Sequence, residues 1–285
     1  MIAYGRFSGN GRPAAWQRHA TAVRSTGIGR FRTSCVAYSP ATAWSKPHAQ
    51  DIHARTRGRV VTLLVIAALV WIGVHVGIAG THLRDRLVAR IGEMPFRGMF
   101  SVLSIAAIVF LVRAWSTAPT ELLWFAPNWL RWILVVAMLV AFLLFVASVS
   151  RPNPTMVGPG EGSASPPRGM TRVTRHPMLW SFAIWAAVHV IGNGDSASVI
   201  FFGAFLVTAL AGMPSIDAKL ARRDPATWAA LSAATSAVPF GAILAGRNRF
   251  VVREIGWIVL AIAVVAWVVL LWLHPLLFGA APVAW

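Results

Sequence analysis

The apolar positions of this chain neither alternate with polar ones nor trace the narrow stripe of a surface helix. They gather into long uncharged runs, the pattern of helices immersed in lipid. The first run, Val60–Gly80 (VVTLLVIAALVWIGVHVGIAG), has 21 residues without a charge. At about 1.5 Å per residue it can cross roughly 30 Å of hydrocarbon. A second run covers Gly98–Val112 and extends toward Trp115; a third, Trp132–Val149, lies between Arg131 and Arg151. The Pro-, Gly- and Ser-rich segment 152–169 then reads as a flexible loop. The fourth run, Pro177–Gly192, opens on a proline, whose missing N–H costs nothing in a first helical turn. The fifth, Ser196–Ile216, is expected to kink at Pro214. A polar stretch, Asp217–Thr227, leads into Trp228–Gly246, which is rich in Ala, Ser and Thr and reads as interfacial or re-entrant. The sixth run, Ile255–Leu273, closes on His274-Pro275. No internal repeat is evident. The fold class is all-α: a polytopic membrane helix bundle of about six transmembrane helices.

Composition agrees. Of 285 residues, 57% are hydrophobic and 12% charged, where a soluble domain is roughly a quarter charged. An ordinary water-soluble enzyme is thereby excluded. The net charge of +17 raises nucleic acid or anionic lipid as a partner until the charges are located. Ten basic residues and one acid, Asp51, fall in 1–59. Fourteen more lie in the loops after runs one, three and five, from Arg84 to Arg253, and only Arg113 and Arg131 face the other way. The positive-inside rule makes the fourteen-residue side cytoplasmic, so the remaining charge reports orientation and not nucleic acid. It also leaves residues 1–59 on the outside, against the same rule. This basic N-terminal extension lacks a secretory apolar core and a convincing amphipathic transit helix. It reads as disordered tail or as sequence upstream of a true start near Val60–Val61, with 60–280 forming the membrane domain. N-terminal sequencing of the endogenous protein decides between them.

Lone Cys35 excludes an intrachain disulfide and any cysteine-built metal cluster, leaving His, Asp, Glu and Arg for chemistry. Ionisable groups inside spans are functional candidates by default, and two histidines lie well inside: His75 and His189. An imidazole can ligate a metal through one nitrogen while the other donates to a carbonyl, and haem iron takes one or two such ligands between apolar and aromatic walls. Gly73 and Gly77 leave room beside His75; Phe182, Trp185 and Ala186 share the face of His189. The bland alternatives are a helix-packing notch and a hydrogen-bonded core histidine. By helix rise, His75 lies about 13 Å from Arg84 and His189 about 21 Å from Arg175, so one iron between them requires tilt or shifted boundaries. In Thr174-Arg175-His176-Pro177, Arg175 and His176 precede a helix N-terminus and suit a phosphate, a haem propionate or a lipid headgroup, or else serve as an interfacial anchor. His82 and His274 read as snorkelling interfacial groups, Asp195 as a turn residue, and Arg84, Asp85, Arg86, Glu93 and Arg97 as a salt-bridged cap. Tryptophans near the ends of the runs read as an aromatic belt. Phosphate-loop, dinucleotide and zinc-protease motifs are absent, so nucleotide-driven transport is not expected.

Several segments together resemble the NnrU family of bacterial membrane proteins. They are His75-Val76-Gly77, Leu83-Arg84-Asp85-Arg86-Leu87, Gly92-Glu93, Phe96-Arg97-Gly98, and Thr174-Arg175-His176-Pro177-Met178-Leu179-Trp180. Further along come Trp185-Ala186-Ala187-Val188-His189, Asn193-Gly194-Asp195, Ala211-Gly212-Met213-Pro214-Ser215-Ile216-Asp217, Gly246-Arg247-Asn248-Arg249 and Arg253-Glu254-Ile255-Gly256-Trp257. The resemblance covers about 61–278 and implies a link to nitrite and nitric oxide reduction. The family is similar to the plant and cyanobacterial zeta-carotene isomerases, membrane proteins that carry haem b on histidines in comparable helices. This implies haem b at His75 and His189. Ala186 departs from the plant pattern, which has a cysteine there as an alternative ligand; His82 replaces an expected proline. The resulting expectation is a multi-pass protein of the bacterial inner membrane. It binds haem b through the metal ligands His75 and His189, with Arg175 and His176 as further cofactor contacts. Its partners are the lipid bilayer, haem and nitrite or nitric oxide reductase systems, with no nucleic acid. The rivals are a haem-dependent cis–trans isomerase and a haem-free transporter or reductase assembly factor.

Overall fold

The computed structural model describes residues 49–150, 155 and 166–283. Most of the N-terminal extension expected at 1–59, and most of the linker at 152–169, lie outside these residues. The described chain is helical: α1 (Ala49–Ile72), continued by a π-helical segment (Gly73–Ile78), α2 (His82–Ile91), α3 (Glu93–Thr117), α4 (Asn128–Val149), α5 (Met170–Val173), α6 (Pro177–Asn193), α7 (Ser196–Arg223), α8 (Pro225–Ala234), α9 (Gly241–Leu244) and α10 (Trp257–Phe278). The described residues contain no β-strand; one isolated antiparallel bridge joins Leu122 to Asp195.

Five helices are long and apolar enough to cross a membrane: 57–78, Glu93–Thr117, Asn128–Val149, Ser196–Arg223 and Trp257–Phe278. The protein is a multi-pass membrane protein. The fourth expected span, α6, is not among them: it has 17 residues, about 25 Å of helix, because Pro177 starts it and left-handed Gly194 stops it. Two boundaries also moved. Helix α1 begins at Ala49, eleven residues before the apolar run. Helix α7 runs past Ile216 to Arg223 without stopping at Pro214, its last turn carrying Arg222 and Arg223 against the negative end of the helix dipole. The interfacial stretch 228–246 resolves into the end of α8 and the single turn α9.

The helices pack in the order α3, α1, α7, α6, α4, α10. Lipid tails offer helices no hydrophobic reason to associate, so contact depends on close approach through small residues. The core shows this: Ala67 and Ala68 of α1, Ala114 of α3, Ala186 of α6, and Ala197 and Ala204 of α7 are buried together around Leu64, Leu111, Phe201 and Phe202. Leucines, valines and isoleucines point outward instead, most completely on α10, where Ala263 is the buried residue. That helix is pinned to α4 by Trp267 Nε1, which donates to the Val135 carbonyl at 3.0 Å.

Polar contacts gather at the two ends. At one, Ser196 N–H donates to the Glu121 carbonyl (2.9 Å) and Arg57 pairs with Glu121 (3.0 Å). At the other, Arg84, Arg97, Arg222 and Arg223 surround Asp85 and Glu93. There too Arg172 grips Glu254 with two bonds (2.7 and 3.0 Å) while Gly169 N–H adds a third (2.8 Å). These donors, Arg172 first, hold the Glu254 carboxyl at about 2 against an ordinary 4.5. A carboxyl held low stabilises the fold above its unfolded value and ceases to as pH falls through its folded one. The gap in unfolding temperature between wild type and Glu254→Gln is therefore expected to be constant above pH 4.5 and to close toward pH 2. A gap that stays constant across that window refutes the assignment.

Candidate functional site: two tryptophan-backed histidines inside the bundle

His75 sits where α1 changes pitch. Ala79 N–H reaches back five residues to the Val74 carbonyl (3.3 Å), the bond of a π-helical turn, a feature frequent at functional sites. The imidazole Nδ1 lies 2.9 Å from the carbonyl of Trp71, one turn earlier. Since a carbonyl only accepts, Nδ1 carries the proton and Nε2 keeps its lone pair. The Trp71 ring lies against the imidazole, centroids 3.9 Å apart, and Phe100 meets it edge-on at 5.6 Å. A Cβ on Gly73 or Gly77 would touch nothing within 4 Å. Among the described residues no helix fills that notch, so helix packing there does not account for the two glycines.

His189 repeats the arrangement on α6. Its Nδ1 donates to the Trp185 carbonyl at 2.7 Å, Trp185 lies 5.2 Å away, and Phe202 of α7 stacks on it at 4.7 Å. Among the described residues neither Nε2 takes part in a hydrogen bond. Phe205 joins the two halves, touching Trp71 (4.9 Å) and Trp185 (5.3 Å). Along α7, His189 lies level with Phe202, and Trp71 with Phe205; farther on, Ser215 Oγ donates to the Gly80 carbonyl (2.9 Å). Three aromatic rings, Trp71, Phe205 and Trp185, link the two imidazoles. The imidazole nearest to His189 is that of His274 on α10, with centroids 6.4 Å apart and planes within 24°. His274, expected as a snorkelling interfacial group, stands beside His189 with its side chain partly exposed.

Beside His75, the buried Trp71 Nε1 lacks a hydrogen-bond partner among the described residues, as does Ser104 Oγ on α3. Unmatched buried polar atoms are uncommon in native folds and call for an explanation. The open glycine face, the two free Nε2 atoms and the aromatic walls fit a flat metal-bearing macrocycle such as haem. A bare ion finds less: among the described residues there is no group of three His, Cys, Asp or Glu suited to holding one.

Arg175 and His176 stand apart from this pair, at the mouth of α6. Asp217 of α7 accepts from Arg175 Nε (2.9 Å) and Nη2 (2.5 Å) and from His176 Nε2 (2.8 Å). Trp228 covers the guanidinium at 5.2 Å. The carboxylate expected there from a propionate or headgroup is thus supplied by the chain itself. His176 is almost fully buried, with Nδ1 unpartnered. Asp217 was legible in the sequence as the first polar residue after the fifth run, but not as a partner. A clearer signal had been available for the histidines: Trp-x-x-x-His occurs at both Trp71–His75 and Trp185–His189.

The NnrU protein family matches residues 63–282, covering every element from the middle of α1 through α10. The chain belongs to the NnrU family. It is also similar to two curated plant proteins named 15-cis-zeta-carotene isomerase, chloroplastic. The one from Zea mays is 27% identical over 202 residues, which cover 66% of this chain and 52% of the relative. The one from Arabidopsis thaliana is 25% identical over 213 residues, covering 70% and 54%. This NnrU-family chain therefore spans about half the length of the curated relatives it matches. No solved structure matches it. The matched region contains both Trp-backed histidines, Asp217 and His274.

Proposed function

We propose that this NnrU-family chain is a haem b protein of the bacterial inner membrane, with His75 and His189 as iron ligands, serving redox chemistry linked to nitrite and nitric oxide reduction. One observation carries the reading: both intramembrane imidazoles have Nδ1 committed to the carbonyl of a tryptophan four residues back, which presents Nε2 as a ligand. A second partner of this kind fixes the tautomer and ring orientation of a metal-binding histidine and raises its basicity. When bound, haem iron supplies a site that binds nitric oxide and exchanges electrons. The protein's own part is to orient the two rings, to wall them with Trp71, Trp185, Phe100, Phe202 and Phe205, and to keep water away. At the α6 mouth, Arg175 and His176 hold Asp217 and so tie that helix to α7; His176 Nδ1 remains for a contact with a bound cofactor.

The test is purification in mild detergent with haem supplied during expression. The wild type is expected to show a Soret band and near-stoichiometric iron, and to shift that band with nitric oxide. His75→Ala and His189→Ala are each expected to lower retained haem by more than about 100-fold, above the roughly 10–100-fold effect typical of losing an outer partner. Wild-type protein without haem would refute the reading and leave a haem-free transporter or assembly factor. The similarity to the two plant isomerases supports a second reading, a cis–trans isomerase acting on a polyene in the bilayer. Conversion of a 15-cis polyene by the purified haem-loaded protein, without net redox change, would favour it.

A further inference from the structure

At the basic end of the bundle, Arg84, Arg97, Arg222 and Arg223 gather around Asp85 and Glu93. The gathering is tertiary. The end of the first span is pressed onto α7, with Gly80 so close to Ser215 that a Cβ would collide with its hydroxyl. Helix α2 departs from there under a cap in which Thr81 Oγ1 accepts from Leu83 N–H (3.2 Å). Asp85 is thereby set beside Arg222, 137 positions further along the chain. The positive-inside rule asks for basic residues on one side of a membrane. It does not ask that one of them be buried.

Arg84 is buried. Its side chain keeps 9% of its accessible surface, its guanidinium lies over the Phe96 ring at 5.3 Å, and Nη2 donates to Glu93 Oε1 at 2.6 Å. Nη1, also buried, has no hydrogen-bond partner among the described residues. Asp85 Oδ1 lies 3.7 Å from it, near enough to offset charge and too far to accept a bond. A buried N–H without an acceptor is costly and calls for an explanation. The two carboxylates are already shared. Glu93 Oε1 accepts from both Arg84 and Arg97 Nε (3.0 Å). Arg222 and Arg223 approach Asp85 only to 3.4 and 4.0 Å, and Arg223 approaches Glu93 to 3.8 Å. The cluster is short of acceptor oxygens, and a phosphate group brings several.

We infer that Arg84, Arg222 and Arg223 form a headgroup site for an anionic phospholipid. Arginine suits this task because its planar fork meets two phosphate oxygens at once, and basic pockets beside membrane helices hold phosphate headgroups. The neighbouring surface favours lipid over free phosphate. Leu83 and Ile91 of α2, with Met94 and Met99 at the start of α3, are exposed, an apolar surface that acyl chains can cover. The salt-bridged cap expected from the sequence accounts for Glu93 with Arg97; it leaves Arg84 Nη1 without an acceptor. The site is separate from the His75 and His189 pair and requires no haem.

The experiment titrates the full-length protein in detergent with phosphatidylglycerol, and in parallel with phosphatidylcholine and inorganic phosphate, following the unfolding temperature. Phosphatidylglycerol is expected to raise it well above the other two. Arg84→Gln is expected to increase the phosphatidylglycerol concentration needed for half the rise by about fivefold or more, the contribution of one basic residue at a membrane surface. The double variant Arg222→Gln, Arg223→Gln, changed at partly exposed positions, is expected to do the same, and it carries the test if Arg84→Gln does not fold. Arg253→Gln, one charge removed elsewhere at the same end, is expected to change that concentration by less than about twofold, below the effect of a residue that contacts the headgroup. An equal rise with phosphatidylcholine, or with inorganic phosphate, overturns the inference in favour of lipid in general or of a free anion. An equal loss in Arg253→Gln overturns it in favour of diffuse surface charge. An unchanged titration in the double variant overturns it as well.

Discussion

Asp217→Ala is expected to lower stability by about 3 kcal/mol, the low end of what removing one member of a buried ion pair costs, because this pair is only partly buried. The magnitude follows from what is left behind. Arg175 loses its three bonds to the carboxylate, and His176, almost fully buried, loses the acceptor of its Nε2 proton while Nδ1 is already unpartnered. Removing an acceptor costs more than making the bond contributes, since the stranded donor pays its full desolvation penalty. The stacked Trp228 keeps the guanidinium from swinging to water. Thermal unfolding in detergent, with Asp217→Asn as the milder companion, measures this. A loss below about 1 kcal/mol would place the cluster with exposed surface pairs. Because Asp217 is the anchor between α6 and α7, weaker haem retention is expected alongside.

The second large effect belongs to Gly194, at the far end of α6. Its φ is +67°, and a Cβ there would run into the backbone carbonyl and ring of Trp124. The conformation alone costs a non-glycine residue about 1–2 kcal/mol, and backbone cannot yield as a flexible side chain can. The same residue's carbonyl accepts from Leu123 N–H (2.7 Å) and Trp124 N–H (3.1 Å), which closes the α3–α4 loop over the end of α6. Gly194→Ala is accordingly expected to cost about 3 kcal/mol, the sum of left-handed strain and overpacking. Gly246 is the matched control: its φ is +68°, yet a Cβ would meet nothing within 4 Å. Gly246→Ala is expected to show the conformational part alone, about 1–2 kcal/mol. Equal losses in the two variants would remove the steric argument.

Much of this was legible without coordinates. Uncharged apolar runs located α3, α4, α7 and α10, because backbone in lipid must satisfy its own hydrogen bonds and a helix does so within one segment. Pro177 and Gly194 could be read as the limits of α6 for equally local reasons. The start of α1 at Ala49 and the end of α7 at Arg223 could not, since helices continue through polar residues when capping and ion pairs support them. Arg222 has a partner in Asp85, far away in sequence.

By itself, the sequence determined a multi-pass helical membrane protein of the NnrU type, its charge asymmetry, and the short list of intramembrane imidazoles. Each of these depends on residue type and local spacing. Tertiary structure alone decided which groups meet: Asp217 with Arg175 and His176, and His274 with His189. Packing through alanine and glycine is nearly degenerate in sequence, because many small-residue faces can approach one another. Which helices pair, and at what depth a histidine on one faces a histidine on another, is fixed only when all of them are assembled.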